Sequence, residues 1–159
     1  MTEKTNAMRI LEARKVPFET YTFDLDIHSA DGVAEALGLP AHQVYKTLVV
    51  VRQQGKPLLV LMAGDRELDL KRLARAVREK KLRMASYKEA ESLTGLQVGG
   101  ISALALVNRG FDVYIDQAAT RLSHILVSAR CRGINLKLSV EDLIRITKAT
   151  VIEATTEGG

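Results

Sequence analysis

Apolar and polar positions along this chain recur with two periods, and each change of period marks an element. Residues 5–15 carry Ile10 and Leu11 on the inward face of a helix that stops before Pro17. Residues 18–23 read as a strand. Ser29 is placed to cap a helix through Leu37, with Gly38 at its C-terminal stop. Residues 45–52 form a strand whose Leu48-Val49-Val50-Val51 run predicts burial on both faces. Residues 53–56 are a hairpin connection returning through the apolar run 58–63. Asp69 then caps a helix in which Leu70, Leu73, Ala74 and Val77 share a face. Residues 82–84 are extended, and Ser86 with Glu89 has capping-box spacing for a helix that ends at Thr94-Gly95. Further strands are expected near 105–107, 111–115, 125–128 and 134–138. Ser139 opens a last helix, and 150–154 is a final strand. Helices set between and after many strands predict an α+β fold with a largely antiparallel or mixed sheet.

Composition narrows the class. The chain has 159 residues, 47% hydrophobic and 26% charged, which is ordinary globular usage. The longest apolar run, 58–63, is far short of a membrane span. The polar N-terminus lacks the apolar stretch of a signal peptide. Cys131 has no second cysteine to pair with, and no Cys/His set has zinc-binding spacing. The expectation is a cytoplasmic protein with no membrane segment, metal or cofactor.

Charge changes the picture more. The net +4 is concentrated: residues 71–83 hold seven cations against Glu79, a local +6 on a body that is otherwise −2. Lys71, Arg75 and Arg78 fall at i, i+4 and i+7, on one stripe of the predicted helix. Such a stripe suits plain solvation, and it equally suits contact with nucleic-acid phosphates. With no Trp and 4% aromatic residues, base stacking is disfavoured, so any nucleic acid would be held by its backbone.

Nucleophile chemistry finds little support. His28, His42 and His124 occupy unrelated contexts, and no Ser/His/Asp or Cys/His arrangement follows from spacing. Asp65, Glu67 and Asp69 read as a turn and a helix cap. Two features stand out. Lys46 enters the most apolar strand, either as a snorkelling edge lysine or as a fixed cation aimed into a pocket. Gly99-Gly100-Ile101-Ser102 is either a simple turn or a nest of N–H groups able to bind an anion or a developing oxyanion.

At these places the sequence resembles the YbaK/EbsC family of aminoacyl-tRNA deacylases, which includes the editing domain inserted in some prolyl-tRNA synthetases. The likeness rests on Val44-Tyr45-Lys46-Thr47-Leu48 followed by Val98-Gly99-Gly100-Ile101-Ser102. Ala36-Leu37-Gly38-Leu39, Leu68-Asp69-Leu70-Lys71 and Arg132-Gly133 support it, over roughly residues 5–150. The resemblance implies one editing domain over 1–159, with a mixed, mostly antiparallel sheet curled into a barrel-like core surrounded by helices. It implies deacylation of a mischarged tRNA, with tRNA(Pro) foremost and prolyl-tRNA synthetase as a partner. Lys46 would be the anchor, and the main chain of Gly99, Gly100, Ile101 and Ser102 the oxyanion hole. Phe23, Ala103 and Asn135 would line the substrate pocket, and Lys71, Arg75 and Arg78 would meet the tRNA backbone. No protein nucleophile is needed: water, or the thiol of a cysteinyl substrate, attacks. The chain departs from the family at Phe23 for a pocket tyrosine, Ala103 for a proline, Ala105 for a glycine, Asn135 for an aspartate and Ala129-Arg130 for a glycine pair. These changes touch the pocket walls and leave Lys46 and the turn. A silent aminoacyl-tRNA or nucleotide binding module beside a synthetase is the alternative.

Overall fold

The computed structural model describes residues 5–27, 29–129 and 133–157. Among these residues five α-helices and ten strands alternate: α1 Asn6–Ala13, β1 Glu19–Thr22, α2 Ala30–Leu37, β2 Tyr45–Arg52, β3 Leu58–Ala63, β4 Arg66–Leu68, α3 Leu70–Val77, β5 Leu82–Met84, α4 Tyr87–Thr94, β6 Asp112–Asp116, β7 His124–Ser128, β8 Ile134–Ser139, α5 Val140–Thr147, β9 Thr150–Ile152 and β10 Thr155–Glu157. Each helix starts where a short polar side chain accepts a free N–H: Thr5, Ser29, Asp69, Ser86 and Ser139. Each such cap stabilises its helix by about 1 kcal/mol. Gly38 and Gly95 end α2 and α4 at φ of 68° and 75°, where a side chain would be strained.

The strands form three sheets, ordered β1-β8-β7, β10-β4 and β5-β2-β3-β6-β9. The largest is mixed: β5, β2 and β3 are antiparallel, while β3, β6 and β9 run parallel. The α+β class and the mixed pairing agree with expectation; the barrel-like curl does not. None of these sheets closes among the described residues, because the five-stranded sheet ends on two three-residue edge strands, β5 and β9, that do not pair with each other. A single parallel bridge, Val44 to Leu126, joins it to the three-stranded sheet.

Burial follows the strand period. On one face of the large sheet Tyr45, Val49, Leu59, Leu61 and Ile115 join α1, α5 and the three-stranded sheet in the main core. On the other face Val50, Leu58 and Val60 meet Leu73 of α3 and Ile152. Hence β3 is buried throughout, whereas β2 is not: Lys46, Thr47 and Leu48 are half-exposed despite their apolar context. Leu73, fully buried, ties the basic helix to the sheet; truncation of such a side chain typically costs about 2–5 kcal/mol.

Three segments differ from the sequence reading. Residues 103–110 form successive turns rather than a strand, although Ala103 to Leu106 are all buried. A short run buried on every side has no period to distinguish strand from turn. The segments β4 and β10, which carry Glu67 and Glu157, pair only with each other, and neither has an alternating pattern long enough to be seen.

Candidate active site

The half-exposure of β2 locates the site. β5 pairs with β2 only at Val50–Arg52, and the Ala85 N–H extends that contact to the Val49 carbonyl at 3.0 Å. At the other end Val44 meets β7. Between these contacts Tyr45 to Leu48 has a strand neighbour on one side only, β3. That gap opens into a cavity of about 690 Å³ walled by β2, α4, Val98, Gly99 and Ile101, with Ser128 and Asn135 opposite each other in the β7–β8 register and Asp31 of α2 at one edge.

Lys46 lines this cavity, half-buried, with no hydrogen bond or ion pair to any described residue. An ammonium there keeps its full field for whatever enters, and a low-dielectric wall strengthens that field. Across the cavity the glycine turn is held from outside. A Glu91 carboxylate oxygen accepts the Val98 N–H at 2.8 Å, and the Gly100 N–H donates to the Gln97 carbonyl at 2.8 Å. Gly99 sits at φ 91°, a conformation that favours glycine. The N–H groups of Gly99, Ile101 and Ser102 have no acceptor among the described residues. The Ser102 side chain faces away from nucleophile chemistry: its hydroxyl accepts the Ala105 N–H at 3.3 Å, and the residue is 1% exposed.

Of the residues expected at the site, Lys46, Gly99, Ile101 and Asn135 meet on the cavity wall. Gly100, Ser102 and Ala103 are buried and do not line it. Phe23 packs against the cluster of Val33, Ala34, Val44 and Leu126, and its N–H donates to the Gly133 carbonyl at 3.0 Å. Lys71 lines a separate cavity beside α3, and Arg75 and Arg78 line neither. Arg78 is also outside the helix: it is the left-handed residue that ends α3, at φ 60°. His28, Arg130, Cys131 and Arg132 lie outside the described residues.

The structure adds residues that spacing did not reveal. Glu91 is visible in sequence only as one of several polar positions on α4. Gly64, between β3 and β4, allows α2 to close the cavity; a Cβ there would lie 2.7 Å from the Ala30 Cβ and 3.3 Å from the Val44 oxygen. Tyr45 is 3% exposed, and its hydroxyl is the one buried side-chain polar atom without a hydrogen-bond partner among the described residues. Burial pushes its phenol above the ordinary range, and the Asp116 and Asp65 carboxylates add to that shift. Among the described residues no group of three or more His, Cys, Asp or Glu could hold a metal ion. Nor is any helix among them long and apolar enough to cross a membrane.

Comparison with known proteins identifies the family. Residues 25–146 match the aminoacyl-tRNA editing domain. The chain is 39% identical, over 98% of its length and 95% of the relative's, to EbsC of Enterococcus faecalis, described as a candidate Cys-tRNA(Pro)/Cys-tRNA(Cys) deacylase. It is 34% identical over 104 residues to a proline–tRNA ligase of a Sulfurihydrogenibium species, spanning only 18% of that enzyme. Among solved structures, a candidate trans-editing enzyme for prolyl-tRNA synthetase superposes with a TM-score of 0.82 at 25% identity, covering 99% of this chain and 100% of that one. The hypothetical protein APE2540 shares the fold with a TM-score of 0.87 at 22% identity, over 95% of this chain and 99% of its own. With residues 25–146 matching the editing domain and 39% identity to EbsC over nearly its whole length, the chain belongs to the YbaK/EbsC family of aminoacyl-tRNA editing domains.

Proposed function

We propose that this protein removes the amino acid from mischarged tRNA in trans, taking the 3′ end of the tRNA into the cavity beside β2. The observation that carries the reading is that Lys46, Gly99 and Ile101 line one cavity, with an ammonium and N–H groups that have no partner among the described residues. In the reaction, water adds to the ester carbonyl and the carbonyl oxygen gains negative charge. The N–H groups of Gly99 and Ile101, both on the cavity wall, stabilise that oxyanion; Gly100 serves the turn instead. The C–O bond to the ribose then breaks, and the departing 3′ oxygen takes up a proton. With a cysteinyl ester, the substrate's own thiol can replace water as attacking group. Lys46 anchors the carbonyl region or the terminal phosphate.

The substrate class follows the relatives: cysteinyl-tRNA, on tRNA(Pro) or tRNA(Cys), is the leading choice. Asn135, which stands on the cavity wall where the family pattern has an aspartate, removes a charge beside the amino-acid side chain and bears on specificity. A panel of tRNA(Pro) charged with Cys, Ala, Ser or Pro measures it directly. Lys46→Ala should slow deacylation of the best substrate by on the order of 10² or more, the range for loss of a good oxyanion or charge-stabilising donor. A folded Lys46→Ala protein that matches the wild-type rate overturns the assigned role. Tight, salt-dependent tRNA binding with no turnover across the panel would establish the silent binding module instead.

A further inference from the structure

A second cavity, of about 500 Å³, lies at the opposite end of β5 from the first. Its wall carries five cations, Arg52, Lys71, Lys80, Lys81 and Arg83, and no carboxylate. Two of these are already committed. Arg52 donates to Asp112 at 3.2 Å and lies 3.7 Å from Glu79, and Arg83 makes paired contacts of 2.7 and 2.8 Å with Glu89. Lys71, Lys80 and Lys81 are exposed and have no ion pair with any described residue. The rest of the lining is aliphatic apart from Gln53, with Leu70 and Leu82 at its base and no aromatic ring.

We propose that this cavity is a phosphate-binding subsite for RNA, holding the backbone of the nucleotides that precede the 3′-terminal one. The inference rests on the deacylase reading for its choice of RNA strand. Three features favour it. Unpaired lysines are mobile point charges suited to phosphates in any sequence context, whereas the two arginines, fixed by carboxylates, act as rigid walls. Without aromatic side chains the cavity offers nothing for a base to stack on, so the contact is with sugar and phosphate. Finally, β5 connects the two sites: Leu82 and Arg83 line the cationic cavity and Met84 lines the enclosed one. Two residues of strand span about 7 Å, a separation that one RNA strand would bridge. The arrangement also relocates the expected RNA contact. Lys71 belongs to this cavity, but Lys80 and Lys81 take the place assigned to Arg75 and Arg78.

The test uses unacylated tRNA(Pro) transcript, so that no ester chemistry enters, and measures binding over a series of salt concentrations. The double variant Lys80→Glu/Lys81→Glu should lose on the order of tenfold in affinity at moderate salt. Its slope of log K against log salt should flatten by about 1.4, the loss of two single-strand phosphate contacts. Lys80→Arg/Lys81→Arg should restore both values. On a transcript lacking the terminal CCA, wild type and the Glu variant should bind alike. Both side chains are exposed, so an unchanged thermal melt checks the fold. A Glu variant with wild-type affinity and slope overturns the proposal. A defect that persists in full on the shortened transcript overturns the assignment to the 3′ strand. The deacylase reading fails separately: wild-type protein that binds tRNA through these lysines yet never releases an amino acid keeps the subsite and loses the activity. Protein that deacylates while the Glu variant binds normally does the reverse.

Discussion

The two cavities at the two ends of β5 are built from the same sheet by opposite means. The enclosed one presents a single unpaired lysine, and its opposite wall is main chain, held by Gly99 at positive φ and by the Glu91 bond to Val98. The cationic one is made of side-chain ends around an aliphatic base, with three of its five cations unpaired among the described residues. Charge stabilisation of a reacting group depends on where each donor points, so the first site is a matter of tenths of an ångström. Binding a polyanion depends on how much charge is neutralised, so the second tolerates mobile side chains. One sheet thus offers a positioned site and a summed-charge site a few residues apart.

Perturbations of the two should therefore separate. The largest effect belongs to Lys46→Ala, which removes the one cation of the enclosed cavity. Its deacylation rate should fall by on the order of 10² while its salt slope for tRNA changes by less than 1. The lysine pair of the cationic cavity should show the slope change and not that rate signature. Equal slopes in both variants would erase the distinction.

Gly64→Ala comes next. Its Cβ would press on Ala30 at 2.7 Å, so α2 must move or the cavity edge must open. Overpacking of this kind typically costs about 1–3 kcal/mol, read as a lower denaturation midpoint with unchanged m-value. A fully stable Gly64→Ala protein would show that α2 is not held against this turn.

Glu91 tests how the positioned wall is kept in place. Glu91→Ala leaves the Val98 N–H without its acceptor and should lower kcat by about tenfold, at a cost of about 1–3 kcal/mol in stability. Glu91→Gln keeps a side-chain oxygen at that position and should recover most of the rate. If Gln performs no better than Ala, the carboxylate acts through its charge and not through the turn.

The smallest effect lies at the border of the two sites. Glu89 closes the capping box of α4 and pairs with Arg83 of the cationic wall. Hydrogen bonds from the Arg83 guanidinium and then the Ser86 N–H hold its carboxyl down to about 2, from an ordinary 4.5. The folded protein thus binds fewer protons here than the unfolded chain does as pH falls from about 4.5 towards 2. The contribution is complete above the unfolded value and lost as pH drops through the folded one. Stability of wild type relative to Glu89→Gln should shrink across that window and stay level above it. A constant difference at all these pH values would mean that the pair carries no proton-linked stability.

Much of the local structure was legible because it is encoded locally. Ser29 and Gly38, Ser86 and Gly95, Asp69 and Ser139 bound their helices where side-chain chemistry says they must, and 45–52 and 58–63 are strands with the expected ends. Lys46 and the glycine turn were identifiable as unusual residues in unusual company. Their meaning was not encoded in their spacing. The Leu48 to Val51 run read as buried on both faces, yet Leu48 is half-exposed, because β5 is too short to cover it. Phe23 was expected on the pocket wall and Arg78 on the cationic stripe of a helix, but one packs with Val33, Ala34, Val44 and Leu126 and the other ends α3 in the left-handed conformation.

By itself, then, the sequence determined the helices and the longer strands, the concentration of positive charge and the identity of the two chemical motifs, since caps, periodicity and composition act over a few residues. Only the tertiary structure decided that Lys46 faces a gap in its own sheet, that Glu91 holds the turn opposite, and that Lys71, Lys80 and Lys81 share a cavity. Those facts depend on where β5 stops, where β7 meets β2 and how α3 seats Leu73, contacts between distant segments that no local pattern records.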